Sequence, residues 1–452
     1  MMLAAPLPVD ANHDLSAKLC GWALAGLLLI VIVGLGPLQA QKTMLSTGDG
    51  NIFRQALYIL VFGFVIVSAK ALQTPRIFLS PPLTLWVLIA WCWISLSWSL
   101  EPSIAFRRLL LTTIIIWTVF MIVERTGYER AVRTALLTLL AVLLINYVMV
   151  VLFPHAGIHQ AREVLDAGLV GDWKGALPQK NFAGAVCAIT ILLLIFAGGW
   201  LQPYLRLISI IATVFFLYKT GSKTSLALTF GSLFLGGLYL SYDPKFRALL
   251  IPATVIAVGL AVVFGQFYWM DAIYTLSQGS ALTGRGTIWG VLISYANDHW
   301  LLGTGYGSFW NIGVNSPVYY YTSTWVRLLG AGHNGYLDIL VTVGVIGLLL
   351  TVLAFVVAPL SRLLWSRSIS RRSGALLISM LIFCIGHNFT ESSVMDRDAI
   401  VQVFFMMTLA LITISTRRPP EAPGPLYFAW TGRFRPRNDS QLAPRQDGES
   451  KA

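Results

Sequence analysis

Apolar residues in this chain gather into long runs separated by short polar breaks. A bilayer core about 30 Å thick needs roughly 20 apolar residues per helix. Runs of that kind centre near Ile30, Leu60, Trp91, Ile115, Leu143, Ile191, Val214, Phe234, Ala257, Val345, Ile382 and Met406. They predict an all-α polytopic membrane bundle of about 12 transmembrane helices. The first run follows Lys18 and has the look of a signal peptide. The further spans behind it, and the want of a small-residue cleavage site, favour a retained helix. One break is far longer than the rest, the 64 residues from Trp269 to Gly332, and a shorter one runs from Pro154 to Lys180. The expected organisation is an N-terminal segment (residues 1–18), a transmembrane domain (19–416) that includes the long loop 269–332, and a Pro- and Arg-rich tail (417–452) that reads as disordered.

Composition sharpens this picture. Charged residues are 12% of the chain, about half the roughly 25% of a soluble domain. Hydrophobic residues are 56% and the mean hydropathy is +0.72, which excludes a water-soluble enzyme. Cys20, Cys92, Cys187 and Cys384 lie in apolar runs without metal-ligand spacing, so neither a disulfide framework nor a zinc site is expected. The net charge is +12, and the basic tail together with an even number of spans puts both termini in the cytoplasm. On that topology the long loop is periplasmic. The outer loops then hold more Lys and Arg than the positive-inside rule allows, so those cations need another reason to be there.

Three short segments carry them. Arg285-Gly-Thr-Ile-Trp289 places an arginine in the long loop, where such a charge near a membrane is costly unless it meets an anion; the bland reading is a snorkelling helix end. His333-Asn-Gly-Tyr-Leu337 places a histidine where the loop re-enters the membrane, either as a proton carrier or as a plain helix cap. Thr220-Gly-Ser-Lys-Thr224 puts Lys223, with Lys219, in a very short turn. It fails the Walker pattern for lack of the required glycines, but it leaves lysines as anion ligands. Arg107 and Arg108, Gln179-Lys180-Asn181 and Arg397 open other helices on the same face. Cations converging there would cradle a diphosphate. Asp396-Arg-Asp398 has the spacing of an acidic metal pair and reads better as a helix cap, and Gly303-Thr-Gly-Tyr-Gly307 reads as a flexible loop; no metal is expected.

Arg285 with Trp289, then His333 and Asn334 with Leu337, on either side of a long outer loop, resemble the O-antigen ligase and polymerase family. The stretches Leu302–Trp310, Ala331–Asp338 and Asn388–Ser392 look most like its rhizobial-type exopolysaccharide polymerase branch. The resemblance implies a metal-independent, inverting glycosyltransferase of the bacterial inner membrane that uses no cofactor. Its substrate would be an undecaprenyl-diphosphate-linked oligosaccharide, polymerised at the periplasmic face into exopolysaccharide. The alternative within the family is an O-antigen ligase that transfers glycan to lipid A core.

The resemblance assigns catalysis to His333 and Arg285, with Glu391 as a second base or as a partner that holds His333 or a cation. It assigns diphosphate binding to Lys223 and Arg285, helped by Arg107, Arg108 and Lys180. Trp289, Asn334, Leu337 and Asn181 are motif residues. Lys223 stands where the family usually has arginine, and it lacks the bidentate fork. Expected partners are the lipid-linked oligosaccharides, the bilayer, a chain-length regulator and export proteins, with no nucleic acid. The rival class is a secondary transporter, for which about twelve spans are usual. Against it stand the missing inverted repeat and the position of the polar residues in outer loops instead of mid-helix.

Overall fold

The computed structural model describes residues 11–34, 52–161, 167–246, 284–397 and 399–417. The run near Ala257, the first part of the long loop and the tail from residue 418 lie outside them. Among the described residues the chain is helical, with no strand beyond one isolated bridge between Ile158 and Trp173.

The longer helices among the described residues are α1 (Ala11–Ile32), α2 (Ile52–Ser68), α3 (Leu83–Ile94), α4 (Pro102–Leu152), α5 (Lys180–Phe196), α6 (Pro203–Lys219), α7 (Lys223–Leu240), α8 (Arg285–His299), α9 (Gly335–Val352), α10 (Arg371–His387) and α11 (Ile400–Arg417). By length and composition, four stretches are able to cross a bilayer: Asp14–Ile32, Pro102–Leu152, Gly335–Trp365 and Ile400–Arg417. Ile52–Ser68, Leu83–Trp98 and Lys180–Phe196 are shorter apolar helices. Phe230, Phe234, Ile208 and Ile211 point their side chains away from the protein, as lipid-facing residues do. The molecule is thus a multi-pass, all-α membrane protein.

The expected runs near Ile115 and Leu143 are two helical segments of α4, joined at Gly127. α4 opens with Pro102 in its first turn, where a missing N–H does no harm. At Gly127 the backbone leaves helical geometry (φ 75°) and the helix kinks. Pro102 to Gly127 covers roughly 37 Å at 1.5 Å per residue, about one bilayer crossing.

Around this kink the two ends of the described chain meet. Arg130 pairs with Asp14 of α1 at 2.7 Å, Arg125 donates to Ser16 at 2.7 Å, and Arg417 of α11 lies 3.9 Å from Glu124. α1 and α11 therefore have their outer ends on the same side of the bundle. α11 is buried along nearly its whole length and packs on α4 and α10, which makes it the central helix.

At the opposite end α8 and the first half of α9 enclose a second small core. It holds Ile288, Leu292, Tyr295, Phe309, Val326 and Val341, with Trp289 and Leu337 against its side. α9 breaks at Gly344 (φ 71°), where a Cβ would collide with the Leu301 carbonyl. The backbone groups near the break find partners across it. Thr304 donates to the Val341 carbonyl at 2.9 Å, Trp91 donates to the Val343 carbonyl at 3.0 Å, and Val345 donates to the Trp300 carbonyl at 2.8 Å. The long connection is therefore keyed into the bundle along its described part, from residue 284 onward.

Its Gly303–Gly307 segment, expected to be flexible, is tightly fitted instead. Gly303 and Gly305 both have positive φ, and any side chain on them would strike the Val341 carbonyl or Ser99.

Candidate functional site

The chemistry-bearing residues from separate parts of the sequence meet on one carboxylate. Glu391 is buried in the turn between α10 and α11. Its Oε1 accepts from Arg285 Nη2 and from Asn181 Nδ2, each at 2.7 Å, and its Oε2 lies 3.0 Å from His333 Nδ1.

Asn388 shapes the turn that presents it. The Asn388 side-chain oxygen accepts from the Ser393 and Val394 amides and from the Ser393 hydroxyl, while its amide nitrogen donates to the Cys384 carbonyl. Burial on its own raises the Glu391 carboxyl. The hydrogen bond and charge of His333, and the charge of Arg285, outweigh it and hold the group below the ordinary carboxylate value.

The two sequence motifs acquire a physical reason. Arg285 and Trp289 are four residues apart and share one face of α8. While Arg285 reaches Glu391, the Trp289 indole N–H donates to the Gly332 carbonyl at 3.1 Å and pins the residue before His333. Asn334 is the N-cap of α9: its side chain accepts from the Tyr336 and Leu337 amides, both at 3.1 Å. Leu337 lies against the small core beside α8.

Gly335 passes so close to Asn388 that a Cβ there would come within 2.5 Å of its side-chain oxygen. The Gly335 amide bonds the Asn388 carbonyl at 2.8 Å. His333 has a positive φ of 50°, unusual for a residue with a side chain. With Nδ1 held by the carboxylate, its Nε2 is the nitrogen left to exchange a proton.

The remaining predicted cations have different situations. Lys223 opens α7 and is exposed, with no hydrogen-bond or ion-pair partner among the described residues. The turn before it is tied to the site: Ser222 packs on Gly184 of α5, and Gly221 packs on Asp172. Lys180 is committed to Asp172 at 2.6 Å, directly beside Asn181. Arg108 donates to the backbone carbonyls of Gly307, Trp310 and Asn311, so it braces the loop. Arg107 is half-buried next to it. Asp396 lies 3.7 Å from Arg397, and Asp398 is outside the described residues.

Sequence reasoning missed the support behind His333. Asp338, one turn into α9, accepts from the Trp310 indole at 2.7 Å, from the Gly332 amide at 3.0 Å and from the Ser392 hydroxyl. Ser392 in turn accepts from the Asn334 amide at 3.1 Å. An acid at the start of a membrane helix was the available signal.

Fold and site together describe a polytopic membrane protein with a buried Arg–Glu–His cluster at one end of its bundle. Residues 207–352 match the family model described as O-antigen ligase, roughly a third of the chain. That family covers glycosyltransferase-like ligases and polymerases. The match includes Lys223, Arg285, Trp289, His333, Asn334 and Leu337, whereas Asn181 and Glu391 are brought to these residues from outside it. No curated protein matches the chain.

Proposed function

We propose that this protein is a metal-independent, inverting glycosyltransferase that polymerises undecaprenyl-diphosphate-linked repeat units into exopolysaccharide at the periplasmic face of the bacterial inner membrane. The observation that carries the reading is the Glu391 carboxylate bridging Arg285 and His333. An acceptor hydroxyl attacks the anomeric carbon from the face opposite the leaving group. The new C–O bond forms as the bond to the diphosphate breaks, the electron pair leaves with the lipid diphosphate, and the hydroxyl proton passes to His333 Nε2. Glu391 holds the imidazole and stabilises its protonated form. General-base assistance of this kind is worth about 10²–10⁴ in rate.

The leaving diphosphate gains negative charge, so cations placed there favour the transition state over the ground state. Arg285 and Lys223 suit that role because each is the first residue of a helix, where the helix dipole also attracts an anion. A lysine at that positive end is unfavourable until an anion joins it. Arg108 and Lys180, already held by neighbours, act as braces, and Arg107 is a flanking cation. Both termini are cytoplasmic in this reading, and the substrates, a chain-length regulator and export proteins are the partners.

The test is separate replacement of Arg285 and His333 by alanine in the host. Polymer should be abolished while both variants accumulate in the inner membrane; wild-type polymer from both overturns the assignment. The family description supports a second reading, ligation of glycan to lipid A core. Deleting the gene separates the two. Loss of long polymer with single repeat units retained marks a polymerase, and polymer made but left unattached marks a ligase.

A further inference from the structure

Directly behind His333 and Glu391 lies a cavity of about 210 Å³ that the reaction scheme above does not use. Its wall carries two guanidinium groups, Arg108 and Arg397, two carboxylates, Asp338 and Asp396, the Asn311 amide and the Trp310 indole. Ala331, two residues before His333, and Ser392, the residue after Glu391, also line it, so the cavity and the Arg–Glu–His cluster share a partition.

We propose that this cavity is a subsite for one neutral sugar ring of the acceptor glycan. The proposal rests on the glycosyltransferase reading and deepens it.

Three observations converge. The charges of the wall balance, whereas a diphosphate would require an excess of positive groups and a metal ion an excess of negative ones. Arg397 and Asp396, 3.7 Å apart, beside the Asn311 amide offer donors and acceptors in mixture, as a ring of hydroxyls requires. The volume falls below the roughly 300–1,000 Å³ of sites for drug-sized ligands, which suits a single pyranose.

The Arg108 Nε–H is buried and has no hydrogen-bond partner among the described residues. Buried donors in that state are rare and mark places where a partner is supplied from elsewhere. Backbone strain is concentrated here as well. Four residues other than glycine have positive φ among those described. Asn311 and Met395 line this cavity, and His333 stands at the partition. A sugar seated there presents its attacking hydroxyl toward the imidazole, while the diphosphate is held on the other side by Arg285 and Lys223.

The experiment uses the full chain in nanodiscs of phosphatidylethanolamine and phosphatidylglycerol, which avoids sugar-headed detergents. Saturation-transfer NMR measures binding of free glucose, galactose, glucuronate and inorganic pyrophosphate to wild type, His333→Ala, Arg397→Gln and Val394→Trp. Val394 lines the cavity, and a tryptophan there fills it. A neutral hexose should bind wild type and His333→Ala alike. Val394→Trp should weaken that binding at least tenfold and Arg397→Gln severalfold, and pyrophosphate should not compete.

Equal hexose binding by wild type and Val394→Trp overturns the subsite, as does displacement of the hexose by pyrophosphate. A parallel transfer assay with lipid-linked oligosaccharide keeps the two readings apart. Val394→Trp should raise the acceptor KM at least tenfold and leave the donor KM unchanged; a change in donor KM alone overturns the subsite. A wild-type protein that transfers no glycan refutes the enzymatic reading, and the hexose binding result still decides the cavity.

Discussion

At the scale of single residues, the proposed chemistry turns on Glu391 and the three side chains bonded to it. A buried carboxylate with one partner removed is costly, because the other charge stays behind without compensation. Replacing Glu391 with glutamine keeps the shape but removes the charge that orients and stabilises His333. Glycan transfer by Glu391→Gln is expected to fall about 10²–10⁴-fold, the usual worth of general-base catalysis, with donor and acceptor binding followed separately. Activity within threefold of wild type would remove Glu391 from the scheme.

The same carboxyl sets an acid limit on stability. Its pKa is depressed in the folded protein, so its ionised form stabilises the fold at neutral pH. That contribution is complete above the unfolded glutamate value of about 4.3 and is lost as pH falls through the lower folded-state value. Thermal unfolding in nanodiscs from pH 7 to pH 3 should therefore show Tm dropping in the acid range, and dropping less in Glu391→Gln.

At the scale of elements, the site exists because helix ends are docked against loops at backbone distance. Gly335 is, with Gly332, the tightest of these contacts around His333. Gly335→Ala is expected to destabilise the protein by about 1–3 kcal/mol, as overpacking does, and to lower activity by moving His333 off Glu391. Gly63, inside α2 with nothing within 4 Å, is the contrasting case. Gly63→Ala should be neutral or stabilise by up to about 1 kcal/mol, since alanine is the better helix former. Equal loss of stability in the two variants would mean that close approach is not what Gly335 provides.

The helices themselves were largely legible in the run pattern, because each must satisfy its backbone internally and present apolar side chains to lipid. The Gly344 break was not legible. It depends on carbonyls and amides contributed by Trp91, Trp300 and Thr304, which are remote in the chain. The glycines of Gly303–Gly307 misled for the same reason, since only the packed neighbour shows why a side chain is forbidden there.

At the scale of the whole molecule, the outer ends of α1 and α11 meet at the Gly127 kink, while the Arg–Glu–His cluster lies at the other end of the bundle. In the proposed orientation, with both termini cytoplasmic, the cluster faces the periplasm. The four cysteines are free and buried, so a single added cysteine reports its own position. Tyr320, 76% exposed near the cluster end, is a suitable site. Tyr320→Cys should react with a membrane-impermeant maleimide in cells whose inner membrane is intact. Reaction only after that membrane is permeabilised would reverse the orientation and refute periplasmic chemistry.

Sequence alone was enough for the class of the molecule, since hydropathy and charge scarcity are sums over many residues and survive ignorance of their arrangement. It also singled out Arg285, Lys223 and His333, because charges beside apolar runs are expensive and therefore conspicuous; Glu391 entered only through the resemblance to a known family. Their mutual contacts came only from the tertiary structure. Glu391 lies 58 residues from His333 and 106 from Arg285 along the chain. No local rule of spacing links residues so far apart; the crossing of α8, α9 and the turn after α10 does. The same crossing gathers Trp310, Asp338 and Ser392 behind the imidazole, while Arg108 is held by loop carbonyls and Lys180 by nearby Asp172, because which cation stays available to an anion depends on what the fold has already placed against it.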